Sequence, residues 1–260
     1  MAEAARNLVC SGARPLGVTD GLNFGDPFNP EIYWQFENVV KGITEACKSF
    51  GVPVVSGNVS FNNENPKGAV YPTPVIGMVG VIDNAENITS ADFKNEGDAI
   101  LLIGETKEEL GGSQYLSIVH DLKQGAPPAL DLEREKNVQG AVSEMIEQGL
   151  VSSAHDCSDG GLAVALAECC ILGGRGAAIT VQGNMRTDAL LFGESQSRII
   201  VSASPENQEK IEAVCKKHDA PCTVIGEVKG NALVINDSIN VAVTELKDVH
   251  SQAIPKAVEA

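Results

Sequence analysis

No cluster of five or more basic residues interrupts this 260-residue chain, in which 19 Lys and Arg stand against 35 Asp and Glu for a formal charge of −16. A footprint for a phosphate backbone is therefore missing, and nucleic acid is not an expected partner. A divalent cation between carboxylates and phosphates reverses the local electrostatics, so a magnesium–nucleotide complex stays in play. The seven cysteines are odd in number and contain no CxxC pair, which argues against a disulfide framework and against a zinc site. They read as reduced cytosolic thiols. No apolar run approaches the roughly 20 residues that cross a bilayer, and Met1–Arg6 lacks the charged-then-apolar pattern of a secretory signal. The expectation is a soluble, cytoplasmic protein without a membrane partner. A GxxxxGK[ST] loop, a dinucleotide fingerprint and a short-period repeat are absent as well, which excludes the P-loop, the Rossmann turn and solenoids.

What is present is a 43% hydrophobic, 21% charged chain of ordinary globular balance, with strands alternating with helices. Ala2–Cys10 has helical spacing with no N-cap ahead of it, so the chain is expected to begin inside an element. Arg14–Thr19 reads as a strand and Asp20–Pro30 as a turn-rich loop; Glu31–Phe50 has helical periodicity and stops at Gly51 and Pro53. Strands are expected at 54–61 and 74–82. The polar stretch 83–97 has little to bury and marks the boundary, giving units at 1–92 and 93–260. In the second unit the patterns predict strands at 99–104, 178–181, 198–201, 223–228 and 232–235, and helices at 111–122, 131–149 and 206–217, plus one after "HDCSDGG".

Four stretches concentrate polar groups. Asp20, at the expected strand end, projects a carboxylate where a metal-bound phosphate could reach it, or else closes an Asx-turn. In "VVSGNVSFNNE", Gly57 inside a strand marks a bulge or a close approach by a ligand, and alternation puts Asn58 and Ser60 on one face, where neutral oxygens suit Mg²⁺; a bulged edge strand with solvated polar residues explains them equally. In "HDCSDGG", Ser158 or Asp159 is a natural N-cap, the glycines expose N–H groups, and His155 beside Asp156 reads as structural. "GESQSR" sets Glu194, Ser195, Gln196 and Arg198 beside a strand that would not bury them unpartnered; they either pair internally or grip a sugar phosphate.

Together with "GARPLGVTDGLNFGDPFNPEIYWQF", "ACKSFGVPVVSGNVSFNNE", "YPTPVIGMVGVI", "SAHDCSDGGLAVALAE" and "LLFGESQSRIIVS", these stretches resemble the C-terminal half of the phosphoribosylformylglycinamidine synthase subunit II family, within the wider aminoimidazole ribotide synthetase superfamily. The resemblance covers essentially the whole chain. It implies an α/β (α+β) two-domain unit: an N-terminal-type domain, truncated at its start, whose strands pair into a barrel with a partner copy, then a C-terminal-type α/β sandwich. It also implies ATP contact at Asp20 and Gly57, a magnesium ligand at Asn58 and formylglycinamide ribotide contact at Ser60. The family's reaction uses ATP and Mg²⁺ to activate the substrate amide for displacement by ammonia, delivered by a glutaminase subunit through a small bridging subunit. The family's catalytic histidines resemble residues of a first copy that this chain lacks, so the chain is assigned no catalytic residue. It is expected to be inactive without that N-terminal half, and to self-associate. Asp156, Asp159, Glu194, Ser195, Gln196 and Arg198 correspond, by internal pseudo-symmetry, to first-copy stretches that contact metal and substrate. The competing readings are a non-catalytic nucleotide-binding or structural module, and a homodimeric ATP-using enzyme of the same superfamily.

Overall fold

The first helix, α1 (Ala2–Cys10), places Ala2, Ala5, Arg6, Val9 and Cys10 on one face by the three- and four-residue spacing of a helix, and all five are buried. The chain, described for residues 1–259 by a computed structural model, continues into the ten-residue strand β1 (Arg14–Asn23) and the helix α2 (Pro30–Phe50). α2 begins where Asn29 accepts a hydrogen bond from the Glu31 N–H and Pro30 presets the first turn, and it ends on Gly51 at φ 67°. β2 (Val54–Ser60), a minute hairpin of β3 (Glu64–Asn65) and β4 (Gly68–Ala69), and β5 (Thr73–Val81) follow.

These strands form a three-stranded sheet in the order β2-β1-β5, with β1 parallel to β2 and antiparallel to β5. One face is covered: Val18 is buried, and Leu22 joins Phe24 and Ile32 in a small core closed by Phe36, Val39, Ile43 and Phe61. The opposite face is bare, with Val55 68%, Val75 59% and Val79 63% exposed. β1 runs four residues past the end predicted from sequence because both neighbours pair with it as far as Asn23, which satisfies its backbone. Asp20 therefore lies within a strand, not at the mouth of a loop.

A polar connection leads to the second unit: β6 (Ala99–Ile103), α3 (Gln114–His120), α4 (Leu132–Glu147), β7 (Ser153–Asp156), α5 (Gly161–Gly173), β8 (Ala177–Ile179), α6 (Thr187–Phe192) and β9 (Ile199–Ala203). It closes with α7 (Gln208–Lys217), β10 (Cys222–Val228), β11 (Ala232–Ile235), β12 (Ile239–Ala242) and α8 (Val243–Glu259). The seven strands form one mixed sheet, β12-β11-β8-β10-β6-β9-β7. β6 and β9 are buried along their whole length because both sheet faces are covered, hence their unbroken apolar runs. On one face Ile100, Leu102 and Ile200 pack with Leu162, Leu166 and Cys169 of α5. On the other, Leu101, Ile103, Ile199 and Val201 meet Val138, Val142 and Met145 of α4, Ile211 and Cys215 of α7, and Val9 and Cys10 of α1. Each fully buried Leu, Ile or Val here contributes roughly 1.5–3 kcal/mol. α1 thus ties the first unit into the core of the second.

α6, β12 and α8 were not legible in the sequence. α6 and β12 are only six and four residues long, too short for a period to register. α8 carries Pro255 in its interior, a residue that ordinarily ends a helix.

Candidate functional site

On the first sheet Asp20 pairs with Gly57 across β1 and β2, and a Cβ built on Gly57 would collide with Oδ1 of Asp20. The missing side chain is needed for space and leaves room for a carboxylate. The adjacent rung pairs Gly21 with Asn58, and the rung after next pairs Asn23 with Ser60. Side chains of neighbouring rungs leave opposite faces, so Asn58 and Ser60 share the bare face, as their alternation predicts, while Asp20 and Gly57 share the covered one. The convergence of Asp20 and Asn58 on one ligand, inherent in the sequence reading, is not what the register gives. An extra residue in β2, Val55, shifts the pairing between Val18 and Thr19 and sets this phase. Asp20 lies close enough to Cys47 of α2 to push that thiol upward, after the larger effect of burial. The Asx-turn considered for Asp20 occurs six residues later, where the Phe28 N–H donates to Asp26 Oδ1 at 2.9 Å.

Asn58 is exposed, whereas Ser60 Oγ exchanges hydrogen bonds with the Asn63 side chain at 3.2–3.3 Å. Mg²⁺ takes six oxygens with strict geometry and is usually anchored by carboxylate charge. One free amide oxygen and one engaged hydroxyl supply at most an edge of that shell. Among the described residues no group of three or more His, Cys, Asp or Glu is placed to hold a metal ion. This chain by itself does not fit a magnesium ion.

The two glycine-rich motifs of the second unit pack against each other at the β9–β7 edge, where the Cys157 N–H donates to Arg198 O at 3.0 Å. Gly161, at φ 68°, lies against the Gly193 carbonyl where any Cβ would clash. Glu194 Oε1 accepts the N–H of Gly160 at 2.8 Å and that of Gln114, the first residue of α3, at 2.9 Å. Arg198 is fully buried and donates to the carbonyls of Ser195 and Gly193 and to Thr106 Oγ1. Ser195 Oγ accepts from the Lys107 N–H and donates to its carbonyl. Glu194 and Arg198 do not pair with each other; both clamp backbone. The predicted capping by Ser158 or Asp159 is replaced by Gly160, with no side-chain cap bond, and exposed Asp159 only approaches Gln114 Nε2 at 3.5 Å. His155 is held by Glu168 at 2.8 Å.

Beside these motifs lies a buried ionic cluster. Arg6 Nη1 donates to Glu135 Oε2 at 2.8 Å and Nη2 to Gln196 Oε1 at 3.2 Å, while Asp156 Oδ2 stands 3.9 Å from Arg6 Nε. Glu135 also accepts from Ser197 Oγ and from Gln139 Nε2. Burial raises the Asp156 carboxyl above the ordinary carboxylate value, against the pull of Arg6. Sequence reasoning missed Arg6 and Glu135. The available signal was a charged residue on each apolar helix face, Arg6 among Ala2, Ala5 and Val9 and Glu135 in line with Val138 and Val142. Two clefts, ≈ 520 Å³ between the ends of α1, α2 and α4 and ≈ 870 Å³ beside β10, are lined by none of the predicted site residues.

A short sheet bared on one side, fastened by a helix to a seven-stranded α/β sandwich, defines the AIR synthase related class. The model of the AIR synthase related C-terminal domain matches residues 95–236 and that of the N-terminal domain residues 1–82, and the chain belongs to this family. Among curated relatives, the phosphoribosylformylglycinamidine synthase subunit PurL of Moorella thermoacetica is 48% identical over 259 residues, covering 98% of this chain and 35% of that protein. The chain thus spans about a third of the length of that relative. Of solved structures, Thermotoga maritima PurL complexed with FGAR superposes with TM-score 0.74 at 24% identity, over 94% of this chain and 41% of that one. The hydrogenase maturation protein HypE gives 0.65 at 21% identity, over 93% and 81%. Those two likenesses concern the fold. No helix among the described residues is long and apolar enough to cross a membrane.

Proposed function

We propose that the chain is the C-terminal portion of a phosphoribosylformylglycinamidine synthase, which converts formylglycinamide ribotide and glutamine-derived ammonia to the amidine at the expense of ATP. The observation that carries this is 48% identity to a subunit of that name along 98% of the chain. The division into functional units at residues 92 and 93 belongs to the same proposal. Asp20, with the space left by Gly57, contacts the nucleotide from the covered face; Asn58 and Ser60 present an amide oxygen and a hydroxyl to metal and substrate from the bare face. Magnesium, when bound, supplies charge neutralisation for phosphoryl transfer. Its carboxylate anchors come from the missing N-terminal half, whose own sheet closes a barrel over Val55, Val75 and Val79. A glutaminase and a small bridging subunit deliver ammonia to the assembled enzyme in the cytoplasm.

A second reading, a non-catalytic nucleotide-binding or structural module, is favoured by the internal use of Glu194, Ser195 and Arg198. Turnover separates the two. The chain mixed with formylglycinamide ribotide, ATP, Mg²⁺ and ammonium chloride is expected to make no amidine alone and to make it when the N-terminal half is added. Product from the chain alone overturns the half-site proposal, and a reconstituted complex insensitive to Asp20→Ala and Asn58→Ala favours the structural module.

A further inference from the structure

At β10 the large sheet comes apart on one side. Pro221 O accepts the Gly104 N–H at 2.8 Å, so Pro221–Gly104 is a hydrogen-bonded rung and Thr223–Leu102, two residues on, is the next. Val224–Leu101 is then a rung without hydrogen bonds across it, and the Val224 N–H and C=O point away from β6, toward β8. β8 does not reach them. Its pairing with β10 runs from Val228 back to Gly226 and ends where the Thr180 N–H donates to Ile225 O at 2.7 Å. Past that rung Asn236 holds the chain on the β11 side, accepting the Val181 N–H at 3.1 Å and donating to the Val181 carbonyl at 2.9 Å. Among the described residues Val224 therefore keeps a backbone donor and acceptor with no strand partner, in a strand that has neighbours on both sides.

The gap is the ≈ 870 Å³ cleft, walled by residues 223–226 on one side and 180–182 on the other. We propose that this cleft binds a neutral, planar heterocycle with an acceptor and a donor side by side on one edge, a nucleobase or nucleoside.

The Val224 edge sets the recognition, since one N–H and one C=O on the same side of one residue complement such a pair. The walls suit a flat ring: Val181 and Leu190 are apolar, and the thioether of Met185 adapts its shape. Thr180 and Thr223 add hydroxyls and Gln182 an amide, groups that match the hydroxyls of a ribose. The charged residues that line the cleft, Arg134 and Glu105, pair with each other at 3.1 Å. Neither charge is left over for a phosphate or a carboxylate, which favours the uncharged ligand. A peptide strand fits poorly, because strand addition relies on several successive backbone rungs and only Val224 offers one here.

The test uses the whole chain, with adenosine as the probe and amide-resolved hydrogen exchange as one readout. The Val224 N–H is expected to exchange fast in the free chain and to slow when adenosine is added. Adenosine dimethylated on its exocyclic amine, which has lost the donor, is expected to bind at least about tenfold more weakly. Val224→Pro deletes the protein's donor without removing a ladder hydrogen bond, and should weaken adenosine by a similar factor. Gln182→Trp fills the cleft from an exposed position and should abolish binding with an unchanged circular dichroism spectrum. Asp20→Ala, on the other sheet, should leave adenosine affinity unchanged, which separates this cleft from the nucleotide contact proposed there. No adenosine binding up to millimolar concentration, equal affinity for the dimethylated analogue, or binding lost in Asp20→Ala and kept in Gln182→Trp overturns the assignment.

Discussion

Glu135 and Asp156 flank the same guanidinium in the same buried cluster, yet the structure gives replacement of the two carboxylates opposite weight. Both oxygens of Glu135 are used: Oε2 takes Arg6 Nη1 and Ser197 Oγ, and Oε1 takes Gln139 Nε2. Glu135→Gln keeps the shape, turns one acceptor into a donor facing donors, and leaves Arg6 with Asp156 at 3.9 Å. Breaking a buried pair in this way costs about 3–5 kcal/mol. Asp156 Oδ2 and Arg6 Nε, by contrast, have no hydrogen-bond partner among the described residues. Asp156→Asn removes a charge whose burial is unfavourable and keeps the Arg6–Glu135 bond, so its effect at neutral pH should stay within about 1 kcal/mol. The pH dependence fixes the sign. The folded-state pKa of Asp156 is raised above its unfolded value, so in the window between them the native state holds more protons and stability falls as pH rises. The cost is complete above the folded pKa, and acidification should improve wild type relative to Asp156→Asn. Urea denaturation followed by far-UV circular dichroism, with slopes of about 1–3 kcal/mol/M, would resolve the two variants as midpoints differing by about 1 M or more. Equal destabilisation by both substitutions, or a wild-type advantage that shrinks on acidification, would refute the reasoning.

Gly57→Ala should leave the melting temperature nearly unchanged while lowering nucleotide affinity, because the new methyl displaces the Asp20 carboxylate; isothermal titration on the reconstituted enzyme reads both partners. Asn29→Ala removes the acceptor for the Glu31 N–H at the start of α2 and should cost about 1 kcal/mol in urea unfolding. Val79→Asp places a charge on the bare sheet face, where Val79 is 63% exposed. It should abolish self-association of the isolated chain in light scattering and leave its circular dichroism intact; a chain that is already monomeric without the substitution would sink this one.

The long periodic elements were readable from sequence because each has its full signal within one segment. α2 has an asparagine cap, a proline at its first position and a terminal glycine, and β6 and β9 are uninterrupted apolar runs. The Asp20–Gly57 pairing was half readable: a glycine inside a strand announced a close approach, but its partner lies in another strand. The phase between them was not readable at all. It depends on Val55, one extra residue in β2, and a single-residue shift moves every later side chain to the opposite face. Arg6 and Glu135 escaped for a related reason, since each looks like a surface charge until the helix faces of α1 and α4 are packed together.

The opposed faces of Asp20 and Asn58 change what each can do alone. Asp20 lies on the face of β1 that carries buried Val18 and Leu22, so any nucleotide contact it makes is expected to need no second sheet. Asn58 and Ser60 lie on the bare side, and an exposed neutral oxygen there gains a ligand's phosphate or its magnesium only when another body brings carboxylates and excludes water. The two residues should therefore separate in a titration with Mg-ATP. Asp20→Ala should weaken whatever nucleotide binding the isolated chain has, and Asn58→Ala should not. With the N-terminal half added, Asn58→Ala should weaken binding by about tenfold or more, the worth of one lost charge-assisted contact, while Asn38→Ala on the exposed face of α2 should leave it unchanged. If Asn58→Ala acts equally with and without the added half, the bare face is already a finished site and the requirement for a second sheet is wrong.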